Sequence, residues 1–361
     1  MTKQRVFVPE TFATSDILSH ILSQMDTGAV EHLDGFDASP GVLPLLYQRQ
    51  GKRAVGRMLD LSREESDKIN FFFKALRCEP QVQAIKGVET CVFVRSDLVD
   101  THPFNVTEQR AAFLQALAIE VMSYFGRYEA IEIADRLPMI SARAWAYTVA
   151  QTAAPSTVRS NRLTDEVQLH KERVTHEGFF LTRTYQLRHP KFDGSMSPEL
   201  QREVFVVGEA ALVLPYDPKH DRILLVEQFR LGPFGRGDPR PWVLEPVAGR
   251  IDAGESAQMA ARRECVEEAG ISLRELMHMS THYCSPGCST EVFHCYLGLC
   301  DLPDASSGAG GLETEQEDIR THVMSFSDAQ ALMQSGEINI GPLFLMLLWL
   351  ERERARLRSM A

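Results

Sequence analysis

One segment constrains this chain more than any other. Residues 249–271 read GRIDAGESAQMAARRECVEEAGI, and the good helix formers within it predict a helix. At 3.6 residues per turn, Glu264, Glu267 and Glu268 fall on one face of that helix. Carboxylates this close repel one another unless a cation lies between them. Oxygen ligands suit Mg²⁺ or Mn²⁺, so the segment predicts a metal-binding helix for a phosphate substrate, with Arg263 one turn from Glu267 to hold that carboxylate.

A salt-bridged surface helix is the alternative, because Glu-rich stretches commonly arise that way. The full spacing argues against it. Every specified position of G-x5-E-x7-R-E-U-x-E-E-x-G-U, where U is bulky and apolar, is filled from Gly249 through Glu255 and Arg263 to Gly270. Cys265, at the first U, is less bulky than the pattern specifies but behaves as a small hydrophobic residue. The segment therefore resembles the Nudix box, the metal-binding helix of the Nudix hydrolases.

Length and charge limit the functional classes. The 361 residues favour two domains, and 44% hydrophobic with 24% charged residues is typical of soluble globular proteins. A net charge of −11, from 38 basic and 49 acidic residues, argues against nucleic acid as a partner, because phosphate-backbone binding needs a basic surface. A small phosphate substrate remains compatible, since a divalent metal screens acidic site residues.

The sequence gives no sign of export or membrane insertion. The start, MTKQRVFVPETF, has no apolar signal core, and the longest apolar run, Leu343–Leu350, is too short to span a bilayer and predicts a packed C-terminal helix. An odd number of cysteines, seven, fits a reducing compartment better than a disulfide scaffold. We therefore expect a cytoplasmic protein that does not cross a membrane.

A late cluster of cysteines and histidines is a candidate for a zinc site. Its members are Cys284, Cys288, Cys295, Cys300, His282 and His294. No C-x2-C pair is present, and the FHCYLGLC run alternates as a strand does. We interpret these cysteines as core or loop thiols.

The chain divides into two predicted regions joined by a linker. Residues 1–150 alternate strand-like pieces with helical stretches such as Thr107–Phe125. Residues 151–165, QTAAPSTVRSNRLTD, are small and polar and predict the linker, and residues 166–361 form the second region. The strand-like pieces of the first region are Arg5–Val8, Ala54–Leu59 and Thr90–Val94.

The second region predicts an α/β fold. A hairpin is expected around Pro215–Asp221, strands at His278–Tyr283 and Val292–Leu299, a flexible tract at Ala305–Gly311, and a helix over Ser327–Ser335. Strands on both sides of one signature helix, with a further helix at the end, predict a mixed sheet between helices.

Residues 168–358 resemble the bacterial ADP-ribose pyrophosphatases of the Nudix family. Proline sixteen positions after the last glycine of the box is a mark of that subfamily, and Pro286 lies sixteen after Gly270. The resemblance implies a Nudix α/β/α sandwich, Mg²⁺- or Mn²⁺-dependent cleavage of ADP-ribose into AMP and ribose 5-phosphate, and Pro286 among the substrate-binding residues. The segments that carry it are GFF at 178–180, REVF at 202–205, AALVLPYDP at 210–218, LLVEQFR at 224–230, PW at 241–242, SPG at 285–287 and GLETEQEDIR at 311–320.

The resemblance also implies a metal-ligand set. Glu264 and Glu268 would be joined by the backbone carbonyl of Ala248 and by Glu317, and Glu267 would assist directly or through water. A general base must lie within reach of the attacking water.

The acidic loop 313–318, ETEQED, follows a Gly-rich stretch and supplies candidates for that base. By resemblance the base is Glu315, with Glu313 close enough to be confused with it. The alternative is an ordinary solvated acidic loop.

Several residues are candidates for the substrate. Arg230 ends the LLVEQFR strand, where its guanidinium can fork onto a phosphate; a surface salt bridge is the alternative. Phe179 and its neighbour at 180 are predicted to point to opposite faces of a strand, one into the core and one free to stack. The resemblance places Phe179 against adenine, with Arg202 and Glu203 nearby, across a homodimer interface built by swapped N-terminal strands. The alternative is that both phenylalanines are core residues.

The first region resembles gamma-glutamylcyclotransferase-like domains through RVFVPETF, PGVLPLL at 40–46, AVGRMLDLSREE at 54–65 and the INFFFKA that follows. It departs from them where chemistry would lie. The Y-G-[ST]-L loop is replaced by VPETF at 8–12, without the glycine that lets backbone approach a ligand, and residues 70–74 lack an acid. We therefore expect a non-catalytic scaffold or binding module.

The favoured function is ADP-ribose hydrolysis. The first alternative, in the same class, is a pyrophosphatase for other nucleoside diphosphate sugars or dinucleotides. A second is a catalytically inactive Nudix module that senses a nucleotide, against which the complete Glu264, Glu267 and Glu268 set argues. A third gives the cyclotransferase activity to the first region and a regulatory role to the Nudix region, against which the altered 8–12 loop argues.

Overall fold

The chain folds into two compact units in a computed structural model that describes residues 3–22, 28–96, 107–152, 155–311 and 317–360. The first unit is Met1–Glu203 with Asp252–Gly254, and the second is Val204–Ile251 with Glu255–Ala361. The division at 1–150, 151–165 and 166–361 stays a prediction about domains.

The first unit contains a five-stranded sheet of order β2-β3-β1-β5-β4. The predicted strands at Arg5–Val8, Ala54–Leu59 and Thr90–Val94 are confirmed as parts of β1, β3 and β5, and the predicted helix at 107–125 is α3. The elements are β1 (Gln4–Pro9), α1 (Ser15–Leu22), β2 (Ala29–Ala38), β3 (Leu46–Leu61), α2 (Arg63–Ala75), β4 (Glu79–Ile85), β5 (Val88–Val94), α3 (Thr107–Ser123) and α4 (Ala130–Val149).

Helix α2 shows how local sequence builds this unit. Ser62 accepts a hydrogen bond from the Glu65 backbone N–H, and the Glu65 side chain accepts from the Ser62 N–H, which together form a capping box. The apolar side of α2 is buried, with Phe73 stacked on Phe93 of β5 at 4.8 Å and edge-on to Phe12 at 5.5 Å. Aromatic packing therefore fills the space between the 8–12 loop and α2.

A three-stranded sheet of order β6-β7-β8 follows, made of β6 (Gln168–Glu177), β7 (Leu181–Arg188) and β8 (Leu200–Val206). The prediction that Phe179 and Phe180 alternate within a strand was wrong. Both lie in the turn between β6 and β7, where the Gly178 N–H donates to the Phe180 carbonyl, and they are 57% and 39% exposed. Strand alternation does not apply in a turn, so neither ring enters the core.

The second unit contains an eight-stranded mixed sheet. Its order is β13-β14-β9-β10-β16-β15, with β11 on β10 and β12 on β9, and β14 runs parallel to β9. The elements are β9 (Glu209–Asp217), β10 (Arg222–Phe229), α5 (Leu231–Arg236), β11 (Trp242–Glu245), β12 (Val247–Arg250), α6 (Ala257–Ala269), β13 (Glu275–Tyr283), β14 (Val292–Leu299), β15 (Gly308–Gly310), β16 (Ile319–Ser325), α7 (Phe326–Ser335) and α8 (Gly341–Ser359).

Most strand and helix predictions for this unit are confirmed, including the hairpin of β9 and β10. The tract at 305–311, predicted to be flexible, is corrected in part, because Gly308–Gly310 pairs with β16 as β15. Alternate residues of the sheet face opposite layers: Leu214 and Leu225 pack with Leu343 and Leu347 of α8, while α6 covers the other face. Within the described chain, no helix is long and apolar enough to cross a membrane.

Candidate active site

Helix α6 lies within the predicted segment and is capped at both ends. The Ser256 side chain caps its N-terminus by accepting from the Met259 N–H at 3.2 Å. Gly270 follows its last residue in the left-handed conformation, with φ of 63°, and the Ile271 N–H returns to the Cys265 carbonyl at 2.9 Å. The predicted acidic helix face is therefore present and fixed at both ends.

The acidic face of α6 is turned inward. Glu264 is only 9% exposed and Glu268 only 1%. Glycine is required opposite them, because a Cβ atom on Gly249 would lie 1.8 Å from Glu264 Oε1. Strand β12 thus approaches α6 closely enough for the Glu264 carboxylate to lie against bare backbone.

Arg263 ties three carboxylates together. Its Nη1 donates to Glu264 Oε1 at 2.6 Å and to Glu267 Oε2 at 2.8 Å, while Nε and Nη2 donate to both oxygens of Glu255 at 3.1 and 3.0 Å. Nη2 also donates to the Arg250 carbonyl at 3.0 Å. The expectation that Arg263 holds Glu267 is confirmed, and the same guanidinium explains the fixed spacing of Glu255.

Burial and mutual repulsion perturb the two inner carboxylates. Burial raises the pKa of Glu264 to about 7, with repulsion from Glu267 and Glu317 acting in the same direction against the attraction of Arg263.

Glu268 is perturbed in the same sense. Burial raises the pKa of Glu268 to about 8, and repulsion from Glu264 and Glu317 adds to it. The Ala248 N–H, which donates to Glu268 Oε2 at 3.1 Å, and the charge of Arg230 oppose that rise in pKa. A cation among these oxygens would relieve this repulsion and compensate for the lost hydration.

The donor chemistry fits a hard divalent cation. Buried carboxylate oxygens on α6, the backbone of Ala248 beside them and the half-buried Glu317 are the oxygen types that Mg²⁺ and Mn²⁺ prefer. Among the described residues, no three His, Cys, Asp or Glu side chains already stand in a ligating arrangement. Two of the carboxylates, Glu264 and Glu267, are turned toward Arg263, and their oxygens would have to be shared with a metal.

The late cysteines divide between exposed and buried positions, while His282 and His294 are partly exposed on β13 and β14. Cys284 and Cys288 are exposed, Cys295 and Cys300 are buried, and all seven cysteines of the chain are free thiols. Pro286 lies between the two exposed cysteines on a turn closed by the Cys288 N–H to the Ser285 carbonyl at 3.1 Å.

Arg230 lies just after β10, and its Nε donates to Glu245 Oε2 of β11 at 2.6 Å. No feature of the sequence selected Glu245 as a site residue. Its proximity to Arg230 depends on the pairing of β10 with β11, in which Glu245 lies opposite Val226. The positive charge of Arg230 acts to lower the pKa of Glu268 on α6.

Gly310 was also missed. A Cβ at this position would lie 2.0 Å from the Glu268 carbonyl oxygen, so β15 passes directly against the end of α6. In the sequence this residue belongs to a small-residue tract that gives no local sign of a tight contact.

The other predicted residues are not all brought together. Glu313 and Glu315 lie outside the described residues, while Glu317 is described and half-buried. The substrate candidates Phe179, Arg202 and Glu203 belong to the first unit, where all three are exposed.

The fold and the box define the class of protein. A family model described as NUDIX domain matches residues 207–344, which include α6 and every carboxylate described above except those of the first unit. The chain belongs to the Nudix family.

Within that family the chain is similar to pyrophosphatases. It is 37% identical over 195 residues to an ADP-ribose pyrophosphatase of Escherichia coli (strain K12), covering 54% of this chain and 92% of that protein. A Haemophilus influenzae ADP-ribose pyrophosphatase is 36% identical over 196 residues, with 54% and 90% covered. A GDP-mannose pyrophosphatase of Escherichia coli is 28% identical over 189 residues, with 52% and 97% covered.

A solved structure, described as an ADP compounds hydrolase, is 20% identical and has a TM-score of 0.42. It covers 54% of this chain and 98% of that one.

Proposed function

We propose that the chain hydrolyses the pyrophosphate bond of ADP-ribose to give AMP and ribose 5-phosphate, with Mg²⁺ as the metal and Mn²⁺ as its substitute. The observation that carries the proposal is the buried Glu264 and Glu268 pair on a complete Nudix box, whose mutual repulsion a bound cation would relieve. The 37% identity to an ADP-ribose pyrophosphatase supports the choice of substrate.

The residues that would hold the metal are Glu264, Glu268, the Ala248 carbonyl and Glu317, with Glu267 acting directly or through water. When bound, such a metal neutralises diphosphate charge and lowers the pKa of water. The chain's own contribution is to keep these oxygens in place before substrate arrives, because Arg263 fixes the carboxylates and Gly249 leaves room for them.

The proposed general base is Glu315, which would accept the proton of the attacking water. The support is its position in an acidic loop two residues before Glu317, and Glu313 is the competing assignment. Replacing each by glutamine separates the two. Glu315→Gln is expected to lower kcat about 100-fold or more with little change in KM, and Glu313→Gln to leave kcat within about threefold. The reverse order would assign the base to Glu313.

The substrate is proposed to contact Arg230 through phosphate and Pro286 through the turn that carries it. Phe179 would stack on adenine, with Arg202 and Glu203 nearby, from a second copy of the chain across a homodimer interface. The support is that nine of the ten residues of β6 are exposed, Leu169 and Val174 among them, which leaves a strand surface open to a second copy.

Co-expression of two inactive chains tests this dimer. Chains carrying Glu268→Gln and chains carrying Arg202→Ala would together form one intact site in each mixed dimer if the sites are shared between subunits. Recovery of activity in the mixture supports shared sites. Activity no higher than the sum of the two separate chains, or a monomer on calibrated gel filtration, contradicts them.

The first region is proposed to be a degenerate gamma-glutamylcyclotransferase-like domain without catalysis, serving as a scaffold or binding module. Support comes from Phe12, which is fully buried and packs against Phe72 and Phe73 in the loop where the resembling family binds its substrate. Release of an amino acid from a γ-glutamyl dipeptide by the full chain would contradict this. A cytoplasmic location is proposed on the seven free thiols, which suit a reducing compartment.

A substrate panel with Mg²⁺ tests the proposed function. It contains ADP-ribose, ADP-glucose, GDP-mannose, NADH, FAD and a dinucleoside polyphosphate, with Glu268→Gln as the inactive control. We expect ADP-ribose to have the highest kcat/KM. Faster cleavage of GDP-mannose, which the 28% identity to a GDP-mannose pyrophosphatase makes the main competitor, would move the assignment to another nucleoside diphosphate sugar. No cleavage of any compound would favour the inactive sensing module.

A further inference from the structure

Arg230 and Glu245 form an ion pair in which the glutamate is more deeply buried than the arginine. The Arg230 Nε donates to Glu245 Oε2 at 2.6 Å, and the two side chains are 42% and 14% exposed. The carboxylate is thus enclosed by the protein while the guanidinium extends toward solvent. An enclosed carboxylate holding an exposed cation is suited to orienting that cation.

The pair lies on the face of the sheet that α6 covers. Leu225 and Leu244 belong to the core formed with α8, so the residues that alternate with them on β10 and β11 face α6. Glu245 is one of these residues, since it pairs with Val226 across the two strands. The influence of the Arg230 charge on Glu268 agrees with this side of the sheet.

Three nitrogen donors on this face have no acceptor among the residues that the structure describes. Glu245 engages the Nε of Arg230, and across the described residues no acceptor hydrogen-bonds its Nη1 or Nη2. Gln228, two residues earlier on the same face, is 8% exposed, and its buried Nε2 likewise has no acceptor within the described ranges. Buried or oriented donors without acceptors favour a ligand rich in oxygen atoms.

We propose that Glu245 is a positioning residue, which fixes the Arg230 guanidinium through Nε so that Nη1 and Nη2 meet phosphate oxygens of the substrate. This inference rests on the proposed pyrophosphatase function and adds a residue to it. Arginine has a long flexible stem, and an arginine that is already ordered loses less freedom when the substrate binds. The effect of Glu245 should therefore appear in KM rather than in kcat.

The test is a double-mutant cycle with ADP-ribose as the probe. In the wild-type background, Glu245→Gln keeps the size of the side chain and is expected to raise KM about 5- to 10-fold, with kcat within about twofold. Glu245→Asp keeps the charge and is expected to lie between wild type and Glu245→Gln. In an Arg230→Ala background, Glu245→Gln is expected to change KM no further, because there is no guanidinium left to orient.

The same fold increase in KM in both backgrounds would overturn the positioning role, as would an unchanged KM in Glu245→Gln. Thermal unfolding of each variant guards against a folding defect, because a structural role alone would lower Tm and the active fraction without a selective rise in KM. The two proposals fail differently. A wild-type chain that does not cleave ADP-ribose overturns the proposed function and the positioning role together, whereas normal wild-type cleavage with additive effects overturns the positioning role alone.

Discussion

The Gly249 backbone and the Glu264 carboxylate occupy adjoining space, so that a single added carbon would bring them into collision. A Cβ on residue 249 would lie 1.8 Å from Oε1 and 1.9 Å from Cδ of Glu264. The first glycine of the box is therefore a condition for the position of a proposed metal ligand.

Gly249→Ala is expected to displace the Glu264 carboxylate and to lower kcat/KM at least about 100-fold, because a shift of about 1 Å in a catalytic group has an effect of that order. Steady-state kinetics with ADP-ribose and a Mn²⁺ titration measure the two consequences. Gly341→Ala is the control, since a Cβ there meets nothing within 4 Å. Equal activity of Gly249→Ala and wild type would mean that Glu264 is not needed where it lies.

Glu268→Gln is expected to separate activity from stability. Activity should fall about 100-fold or more, because a metal ligand is lost. The metal-free protein should become more stable by about 1 kcal/mol, because burial disfavours the charge of Glu268, whose pKa burial raises to about 8. Activity assays and thermal unfolding in EDTA check both.

Glu275→Gln, at an exposed position on β13, is the control for this prediction and should change neither quantity. If Glu268→Gln unfolds more easily than wild type in EDTA, the carboxylate stabilises the metal-free fold through its contacts, and the prediction is wrong.

What could be predicted from the sequence is what local spacing determines. The acidic face of α6, its Ser256 cap and its Gly270 end are set within about four turns of chain, so periodicity and capping rules suffice. Phe179 and Phe180 were assigned wrongly because β-type composition extends into the turn that joins β6 to β7.

Contacts between distant segments could not be predicted in this way. Glu245 reaches Arg230 through strand pairing, and Gly310 reaches Glu268 across 42 residues, as the difference of their numbers gives. Neither contact leaves a periodic signal in one sequence, because register and close approach are set by tertiary packing.

Gly310→Ala tests the contact between β15 and α6. The new Cβ would lie 2.0 Å from a backbone oxygen, which cannot move aside as a side chain does, so we expect a loss of about 1–3 kcal/mol in the free energy of unfolding. Gly308→Ala, in the same strand but with nothing within 4 Å of its Cβ, is the matched control. Urea unfolding of both chains measures the difference. Two equally stable variants would refute the tight contact.

The last prediction concerns Asp221, which ties the β9–β10 turn to α8. Its carboxylate accepts from Arg354 Nε at 2.7 Å and from the Tyr216 hydroxyl at 2.9 Å, and Arg354 first of all holds the pKa of Asp221 below its ordinary value. Asp221→Asn suits the left-handed turn, with φ of 57°, while removing the charge. We expect it to cost about 1–3 kcal/mol at pH 7, the usual effect of breaking a charged hydrogen bond.

The stabilising effect of the Asp221 carboxylate is expected to decrease at acidic pH. A carboxylate whose pKa is lower in the folded than in the unfolded chain binds fewer protons when folded, so its stabilising effect is present above about pH 4, near the unfolded pKa, and is lost as pH falls through the folded pKa. The stability difference between wild type and Asp221→Asn should therefore be full at pH 7, begin to shrink as the pH falls below about 4, and approach zero only below the folded pKa. Urea unfolding of both chains from pH 7 to about pH 2 measures it. A difference that stays constant over this range would show that the ion pair with Arg354 contributes nothing, and that the turn alone accounts for the effect.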